Sequence, residues 1–447
     1  MKKSVVMACL CLLVLIACRK ENEFFQPQFV NSVISNDEDL FLNAIDKNAL
    51  ILPLSTDFAT IPQDPKNPLT TEKVQLGQLL FHETRLGGKP KVIQGLFTYS
   101  CGTCHHAEAG FQSGLAQAIG EGGKGFGTTG EGRVPVQTFL DSVDVQPIRT
   151  PTTLNMAYQP VVMWGGGLGA TSVNTGTEAF WSNPKFNNNF LGFQGLETQA
   201  IAAQPVHRLK VDTAFFLANA TYKNLFDLAF ASLPSDQRIS PTTVGLAIAA
   251  YERTLLSNES PFQQWLKGNK KAMTADEKAG AQLFFGKAKC NTCHTGPALN
   301  SMAFYALAMP DMQNGVNGAT NIKPNNSQKG RGDFTQNDSD MFKFKVPQLY
   351  NLKDVKFYGH GSTFTSVLDV VKYFNNAVPL NKQVPATRLP PQFKPLGLTD
   401  DEMNKIVAFI ENALWDPNLI RYAPATVPSG NCIPNNDAQS KLDRGCL

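Results

Sequence analysis

Two copies of one short pattern, Cys-x-x-Cys-His, constrain this chain more than any other feature. The first copy lies at residues 101–105 within YSCGTCHHAEAG, and the second at residues 290–294 within KCNTCHTGP. Redox dithiols, zinc sites and covalent haem attachment all use cysteines spaced in this way. A redox dithiol needs no following histidine, and zinc sites made from two such pairs usually place them about 15–20 residues apart, much closer than here. The pattern therefore predicts two c-type haems.

In covalent haem attachment, the two thiols add to the vinyl groups of the porphyrin, and the next histidine lies under the iron as the proximal ligand. Two such sets are predicted here, and both histidines are predicted iron ligands. They are Cys101, Cys104 and His105 in the first set, and Cys290, Cys293 and His294 in the second.

The N-terminus is typical of an exported lipoprotein. Lys2 and Lys3 precede an apolar run that is too short to span a membrane, and LIAC at residues 15–18 resembles a bacterial lipobox. We expect residues 1–17 to be removed as a signal peptide and Cys18 to carry the lipid. An ordinary signal peptide that is cut nearby is the alternative. Both place the mature protein outside the cytoplasm, and the lipobox favours a lipid-anchored protein on the periplasmic side of the cell envelope.

The composition fits a globular chain and excludes few functions by itself. Of the 447 residues, 42% are hydrophobic and 17% are charged, which is enough apolar material for two or three cores. The net charge of +3 gives no support for a nucleic-acid partner. In an oxidising compartment, Cys432 and Cys446 are expected to pair and to pin a polar C-terminal tail.

A weak internal repeat indicates two units of similar build. EKVQLGQLLF at residues 72–81 precedes the first cysteine pair, and EKAGAQLFF at residues 277–285 precedes the second. Both segments predict amphipathic helices, and the second begins with a capping box formed by Thr274 and Glu277. Each predicted helix therefore leads into a predicted haem-attachment site.

Helices are also predicted over residues 242–257 and after a second capping box at Thr399 and Glu402, whereas long alternating strand patterns are absent from the sequence. The glycine-rich residues 120–132 predict a mobile loop. The predicted fold is mainly α: two cytochrome-c-like helical domains, each with one covalent c-type haem, joined by long loops. The predicted segments are a signal peptide (1–17), a tether and lead-in segment (18–60), an N-terminal haem domain (61–260), a C-terminal haem domain (261–425) and a tail (426–447).

Several motifs, in the same order, resemble those of the bacterial di-haem cytochrome c peroxidase and MauG family. These are LGQLLFHETRLGG at 76–88 (similar to LGxxLFFDxRLS), RTPTTLNMAY at 149–158 (RNTPTLLNAAY), LETQA at 196–200 (LEEQA), and FKVPQLYNLKDVKFYGHGS at 344–362 (FKVPTLRNVxLTAPYFHDGS). Trp164 falls where the family has the Trp of FWDGR. The resemblance covers about residues 71–415 and implies two mostly helical domains whose haems face a shared interface.

The resemblance also implies roles for individual residues. The haem on His105 would react with peroxide, and the haem on His294 would receive electrons from a small cytochrome c or cupredoxin. Trp164 would lie between the haems, Gln199 in the distal pocket of the first haem, and His360 near a propionate of the second. The second haem would store one of the two electrons that peroxide reduction needs.

The distal side of the first haem departs from the family pattern. The family's distal histidine is absent from residues 120–132, so we expect this haem to be five-coordinate or water-bound. The family's distal glutamate, about ten residues after the Gln of LEEQA, is also missing, but His207 is close to that position. We predict that His207 is the distal acid–base group, or even a ligand, since imidazole can do the work of the missing carboxylate. A histidine on a turn or helix surface is the alternative.

The second haem departs from the pattern as well. The family's distal Met or Tyr stands fourteen residues after the PYFH histidine, where this chain has Phe374, which cannot ligate iron. The sulfur donors that could replace it are Met302, Met309, Met312 and Met341. Each of them could equally be a packing residue. Arg149 stands where the family has an Asn that helps to hold calcium, so calcium is doubtful here and a guanidinium is expected to supply the charge.

Together these features predict an enzyme that reduces hydrogen peroxide to water with electrons from a small redox protein. One alternative is a MauG-like ferryl oxidase of a protein or small-molecule partner, and another is a non-enzymatic, lipid-anchored di-haem electron carrier. Trp164 and an open first haem favour the two enzymes. Phe374, which cannot ligate iron, leaves the oxidase and the carrier as alternatives to the peroxidase. A membrane contact through Cys18 and a homodimer are further expectations.

Overall fold

The structure is a computed structural model that describes residues 38–139, 141–323 and 325–446. The predicted signal peptide and Cys18, which is predicted to carry the lipid, lie outside these residues. In the part of the chain that the structure describes, no helix is both long enough and apolar enough to cross a membrane.

Regular structure in the described residues is mainly helical, as predicted, with short 3-10 turns in the long connections. The α-helices are α1 (Glu38–Ala44), α2 (Thr71–His82), α3 (Gly195–Val206), α4 (Thr213–Ala218), α5 (Ala220–Ala229), α6 (Pro241–Arg253), α7 (Pro261–Leu266), α8 (Ala275–Phe285), α9 (Arg331–Thr335), α10 (Val367–Asn376), α11 (Asp400–Ala408) and α12 (Ala438–Arg444). A π-helical turn, Phe409–Ala413, continues α11. Two short antiparallel pairs complete the set, β1 (Gly123–Lys124) with β2 (Val134–Pro135) and β3 (Phe304–Tyr305) with β4 (Phe344–Lys345).

The helices of the N-terminal half pack closely around α6. Helix α2 packs against α5 and α6, α3 packs against α6, and α2 also contacts the turn that carries the first cysteine pair. Glycine makes the approach of α2 to α6 feasible, because a Cβ at Gly77 would lie 1.9 Å from the carbonyl oxygen of Ala247. The predicted helix over 72–81 is thus confirmed, and the one predicted over 242–257 is confirmed as far as Arg253, where α6 ends. The two helices pack on each other.

The C-terminal half repeats this arrangement with α8 and α11. These helices pack together, α11 packs against α10, and α8 contacts the turn of the second cysteine pair. A Cβ at Gly280 would lie 2.0 Å from the carbonyl oxygen of Lys405. Both predicted capping boxes form, with the hydroxyls of Thr274 and Thr399 accepting from backbone N–H groups three residues later.

The segment predicted as a tether, residues 18–60, is packed from residue 38 onward. Leu50 and Leu52 are buried, and the backbone N–H of Leu52 donates to Oε1 of Gln263 in α7 at 2.8 Å. The amide of Gln263 in turn donates to the carbonyl of Leu50 at 2.9 Å. The prediction of a tether is therefore wrong for residues 38–52, since their leucines contribute to the core.

The glycine-rich stretch that predicted a mobile loop is instead a folded hairpin built on β1 and β2. Arg133 is only 3% exposed, and its guanidinium donates to the carbonyls of Ile119 and Gly120 at 2.7 and 2.8 Å. A buried arginine at the centre of a loop fixes the loop's backbone. We call this segment, residues 120–135, the glycine-rich hairpin.

A buried ion pair ties α6 to α3 and gives a stability prediction. Arg253 donates through Nε and Nη2 to Glu197 at 2.8 and 2.6 Å, and their side chains are 1% and 0% exposed. Arg253→Met should lower the free energy of unfolding by about 3–5 kcal/mol, because it leaves a buried carboxylate unpaired. Urea unfolding of the purified protein would measure this. The control is Arg238→Met, which breaks a half-exposed pair with Asp227 and should cost about 0–1 kcal/mol; equal losses would contradict the prediction.

Candidate haem sites

The first cysteine pair lies on a 3-10 turn, Cys101–Thr103, which follows α2 after a long connection and packs against that helix. Cys101 and Cys104 are free thiols, and burial raises the pKa of both to about 12. A redox-active dithiol needs a lowered thiol pKa and some exposure. These thiols are partly exposed, but their raised pKa does not fit a redox dithiol.

His105 is oriented as a metal ligand. Its Nδ1–H donates to the carbonyl of Phe111 at 3.2 Å, which leaves Nε2 available to a metal. Burial lowers the pKa of His105 to about 4, so the ring is neutral, as a ligand must be. The next residue, His106, donates from Nε2 to the carbonyl of Thr129 at 3.0 Å, so its ring is engaged elsewhere.

The second site repeats the same local geometry. Its cysteines lie on the turn Cys290–Thr292 after α8, and Nδ1–H of His294 donates to the carbonyl of Leu299 at 2.9 Å. Burial lowers the pKa of His294 as well. Each histidine thus has one ring nitrogen fixed by a backbone carbonyl five or six residues later, and the other nitrogen is open.

A cavity of about 310 Å³ adjoins the second site. Cys290, Cys293 and His294 line it, and helix α10 contributes an apolar wall. The wall residues from α10 are Val367, Val370, Val371 and Phe374. Phe374, at the position of the family's distal ligand, is therefore part of this wall. A mostly apolar cavity that contains two thiols and one open imidazole suits a porphyrin.

A buried lysine in the same cavity would be stabilised in its charged form by a bound anion. Lys345 is 6% exposed, lines the cavity and has no ion-pair partner among the described residues. Burial lowers the pKa of Lys345 to about 7, because nothing nearby compensates a charged ammonium. A haem propionate would provide that compensation, so the residues of this cavity fit a haem.

Trp164 and His360 are brought together on the wall of this cavity. The Trp164 indole donates to the carbonyl of Arg149 at 2.7 Å, and its ring is edge-on to His360 at 6.3 Å between centroids. His360 contacts Oδ1 of Asp311 through Nε2 at 2.9 Å and stacks on Phe344 at 3.8 Å. The sequence predicted Trp164 and His360, but not the two residues that hold the His360 ring.

Arg149 links this wall to the first site. Its guanidinium is buried and donates to Oε1 of Gln112, the carbonyls of Leu115 and Ser113, and Oγ of Ser362, at 2.9–3.5 Å. Burial lowers the pKa of Arg149 to about 10. The guanidinium is thus surrounded by neutral oxygens, the ligand type that calcium uses, which fits the expectation that it replaces a cation.

His207 follows the C-terminal end of α3 and pairs with Asp144. Its Nδ1 lies 3.0 Å from Oδ2 of Asp144, and its side chain is 36% exposed. Burial lowers the pKa of His207, but the hydrogen bond and charge of Asp144 outweigh it, so the net shift is upward. The charge of His207 contributes to the low pKa of His105, so the two lie within electrostatic range. Gln199 is half-buried on α3, about two turns earlier.

Only some of the predicted sulfur donors are near the second site. Of Met302, Met309, Met312 and Met341, Met309 alone lines the cavity. Its segment is tied to α10 and the loop after it, since the Tyr373 hydroxyl donates to the carbonyl of Leu307 and the Asn381 amide donates to that of Met309. The backbone of Leu307 and Met309 therefore packs against α10 and the loop after it, whereas His294 packs against Phe284 of α8.

The described residues contain no group of three or more His, Cys, Asp or Glu side chains that could hold a metal ion. A zinc site made from both cysteine pairs would be such a group. Within the described chain, the zinc alternative therefore has no support.

Comparison with known proteins finds relatives among the di-haem cytochrome c peroxidases and MauG proteins. The model of the family described as di-haem cytochrome c peroxidase matches residues 71–271. The chain is 29% identical over 368 residues to the methylamine utilization protein MauG of Methylorubrum extorquens, with 81% of this chain and 83% of that protein covered. It is 25% identical over 372 residues to the cytochrome c551 peroxidase of Nitrosomonas europaea, with 83% and 87% covered.

Solved structures show the same fold. A MauG-like protein associated with microbial copper homeostasis superposes with a TM-score of 0.56 at 24% identity, covering 83% of this chain and 96% of its own. The diheme peroxidase BthA from Burkholderia thailandensis gives 0.50 at 15% identity, covering 80% and 89%. The predicted class, a haem oxidoreductase of the peroxidase type, is confirmed by the relatives. The predicted relationship to the di-haem cytochrome c peroxidase and MauG family is confirmed with it.

Proposed function

We propose that this protein reduces hydrogen peroxide to water at the first site, with electrons that enter at the second. The observation that supports this most is the repeated geometry of the two sites, in which each Cys-x-x-Cys turn is followed by a histidine with one fixed and one open ring nitrogen. Bound haem supplies the redox chemistry that cleaves the O–O bond. Cytochrome c peroxidases among the relatives support this function.

The chain itself moves the protons. When His207 is neutral and its Nδ1–H donates to Asp144, its Nε2 atom carries no proton and can act as a base. We infer that it takes a proton from the oxygen of peroxide that stays and returns it to the oxygen that leaves. The balance is one peroxide, two electrons and two protons to two waters.

Electrons are proposed to pass from the second site to the first past Trp164. Its indole is fixed by the carbonyl of Arg149, and its edge faces the His360 ring at the second cavity. Arg149 reaches Gln112, which bridges to His106 at the first site. This continuous set of contacts supports a route between the sites.

The remaining parts of the proposal come from the sequence. Haem attachment is proposed to be covalent at both cysteine pairs, each in its own domain. The N-terminal pattern supports a lipid anchor on the periplasmic side of the envelope, where a small cytochrome c or cupredoxin would be the donor. A homodimer is proposed as the assembly.

A steady-state assay with hydrogen peroxide and a reduced small cytochrome c tests the function. We expect peroxide-dependent oxidation of two donor molecules per peroxide. Absence of this reaction in protein with both haems attached would favour the electron carrier. Peroxide consumption that oxidises another protein, but not the donor, would favour the MauG-like oxidase.

Met309 is the proposed sulfur ligand of the second haem, because it is the one of the four candidate methionines that lines the cavity. Met309→Leu should lower the reduction potential of that haem by on the order of 0.1 V, since thioether ligation raises it within the roughly 0.8 V that axial ligands span. Spectroelectrochemical titration measures the shift, and the iron–thioether charge-transfer band should disappear. Met312→Leu, a buried methionine that does not line the cavity, is the control. An unchanged potential and spectrum would rule Met309 out.

A further inference from the structure

The C-terminal segment, residues 426–446, returns to the turn of the first cysteine pair. The carbonyl of Pro434 accepts hydrogen bonds from the hydroxyls of Ser100 and Thr103 at 3.0 and 3.3 Å, on both sides of Cys101. A disulfide joins Cys432 to Cys446 across this segment. We call the segment the C-terminal clamp. Nothing in the proposed peroxide chemistry uses it.

The clamp also fixes the glycine-rich hairpin. Oδ2 of Asp443 accepts from the backbone N–H groups of Phe126 and Gly127 at 2.7 and 3.1 Å. Oδ1 of Asp437 accepts from the N–H of Gly125 at 2.9 Å. Carboxylates that accept from backbone N–H groups form strong, charge-assisted hydrogen bonds. Two acids of the clamp therefore hold three consecutive residues of the hairpin.

The hairpin in turn covers the residue next to the proximal histidine. The Phe126 ring is edge-on to His106 at 5.0 Å between centroids, and Nε2–H of His106 donates to the hairpin carbonyl of Thr129. Arg444 of the clamp lies 4.8 Å above the Phe126 ring and pairs with Glu108 at 2.8 Å. The clamp thus contacts the first site both before and after His105.

Asp443 lies where α12 of the clamp meets the glycine-rich hairpin. It lies in the last turn of α12, where a negative charge opposes the helix dipole. Its Oδ1 accepts from the Gln439 amide one turn earlier in α12 at 2.8 Å, while its Oδ2 holds the hairpin, so Asp443 joins the helix to the hairpin.

We propose that the C-terminal clamp is a positioning element of the first haem site: it holds the glycine-rich hairpin against His106 and so fixes the turn that carries His105. The Cys432–Cys446 disulfide fastens it. A dithiol reductant would release the clamp by thiol–disulfide exchange, in which the two cysteines gain two electrons and two protons and the dithiol becomes a disulfide. The haem part of this inference rests on the proposed function, whereas the hold on the hairpin does not.

The test uses the full-length protein with both haems attached, and compares Asp443→Ala with the control Lys441→Gln on the same helix. The first readout is trypsin cleavage after Lys124, which is exposed in the hairpin. We expect cleavage to be about tenfold faster in Asp443→Ala, as loss of a charged hydrogen bond implies, and unchanged in Lys441→Gln. Wild-type protein treated with dithiothreitol, and the variant Cys432→Ser/Cys446→Ser, should both resemble Asp443→Ala.

The second readout is the EPR spectrum, in which the signal of the first haem should become heterogeneous in Asp443→Ala while that of the second stays constant. Cleavage at the wild-type rate in Asp443→Ala and after reduction would overturn the proposal. Faster cleavage with an unchanged first-haem signal would overturn the positioning role. A wild-type protein without haem on Cys101 would refute the proposed function instead, and the cleavage rates would still decide whether the clamp holds the hairpin.

Discussion

Replacing Cys101 and Cys104 together by alanine should remove one of two covalent haems and lower peroxide turnover to below roughly one-thousandth of the wild-type rate. These thiols are half-buried, form no disulfide and are positioned on the turn before His105, whose open Nε2 is the proposed iron ligand. Without the thioethers the porphyrin has no fixed position over that nitrogen. The haem-to-protein ratio, measured as the pyridine haemochrome, should fall from two to one.

The chain offers two matched comparisons for this variant. Cys290→Ala/Cys293→Ala should also leave one haem, but peroxide should still react once at the first site while donor oxidation stops. Cys432→Ser/Cys446→Ser removes the remaining described cysteine pair, a disulfide, and should keep both haems. Two haems in the Cys101→Ala/Cys104→Ala protein, or bound zinc in place of haem, would refute the assignment.

Features that depend on residues close in sequence were predictable. The capping boxes at Thr274 and Thr399 involve residues three apart, and both form as expected. Each cysteine turn and its histidine occupy five residues, and the fixing carbonyl follows within six more. Local patterns of this kind determine their own geometry, which is why the sequence predicted the helices. The roles of His105 and His294 as iron ligands stay predictions.

Contacts between residues distant in sequence were not predictable. Asp144 and His207 are 63 residues apart, and Asp311 and His360 are 49 apart, with no spacing rule that joins them. The glycine-rich stretch predicted mobility because glycine disfavours regular structure, but its N–H groups are satisfied by carboxylates more than 300 residues later. Only the folded chain shows that this hairpin is fixed.

His207→Ala should lower kcat/KM for peroxide by about 10²–10³-fold without loss of haem, because it removes the proposed general base. Stopped-flow reaction of the ferric protein with peroxide measures the step directly. His207→Gln is the matched variant, since its amide can still donate to Asp144 but cannot exchange a proton. It should be as slow as His207→Ala, which separates proton transfer from a purely structural role.

The pH dependence of kcat/KM tests whether Asp144 raises the pKa of His207. Only neutral His207 can accept a proton, so the rate should fall as the pH drops below its pKa. Asp144 raises that pKa, so Asp144→Asn lowers it and should move the acid limb of the kcat/KM profile to lower pH. Two results together would contradict this role: an acid limb of the kcat/KM profile that does not move in Asp144→Asn, and wild-type turnover in His207→Ala. His207 would then be a surface histidine. The proton transfers would then have to be assigned to another group at the first site.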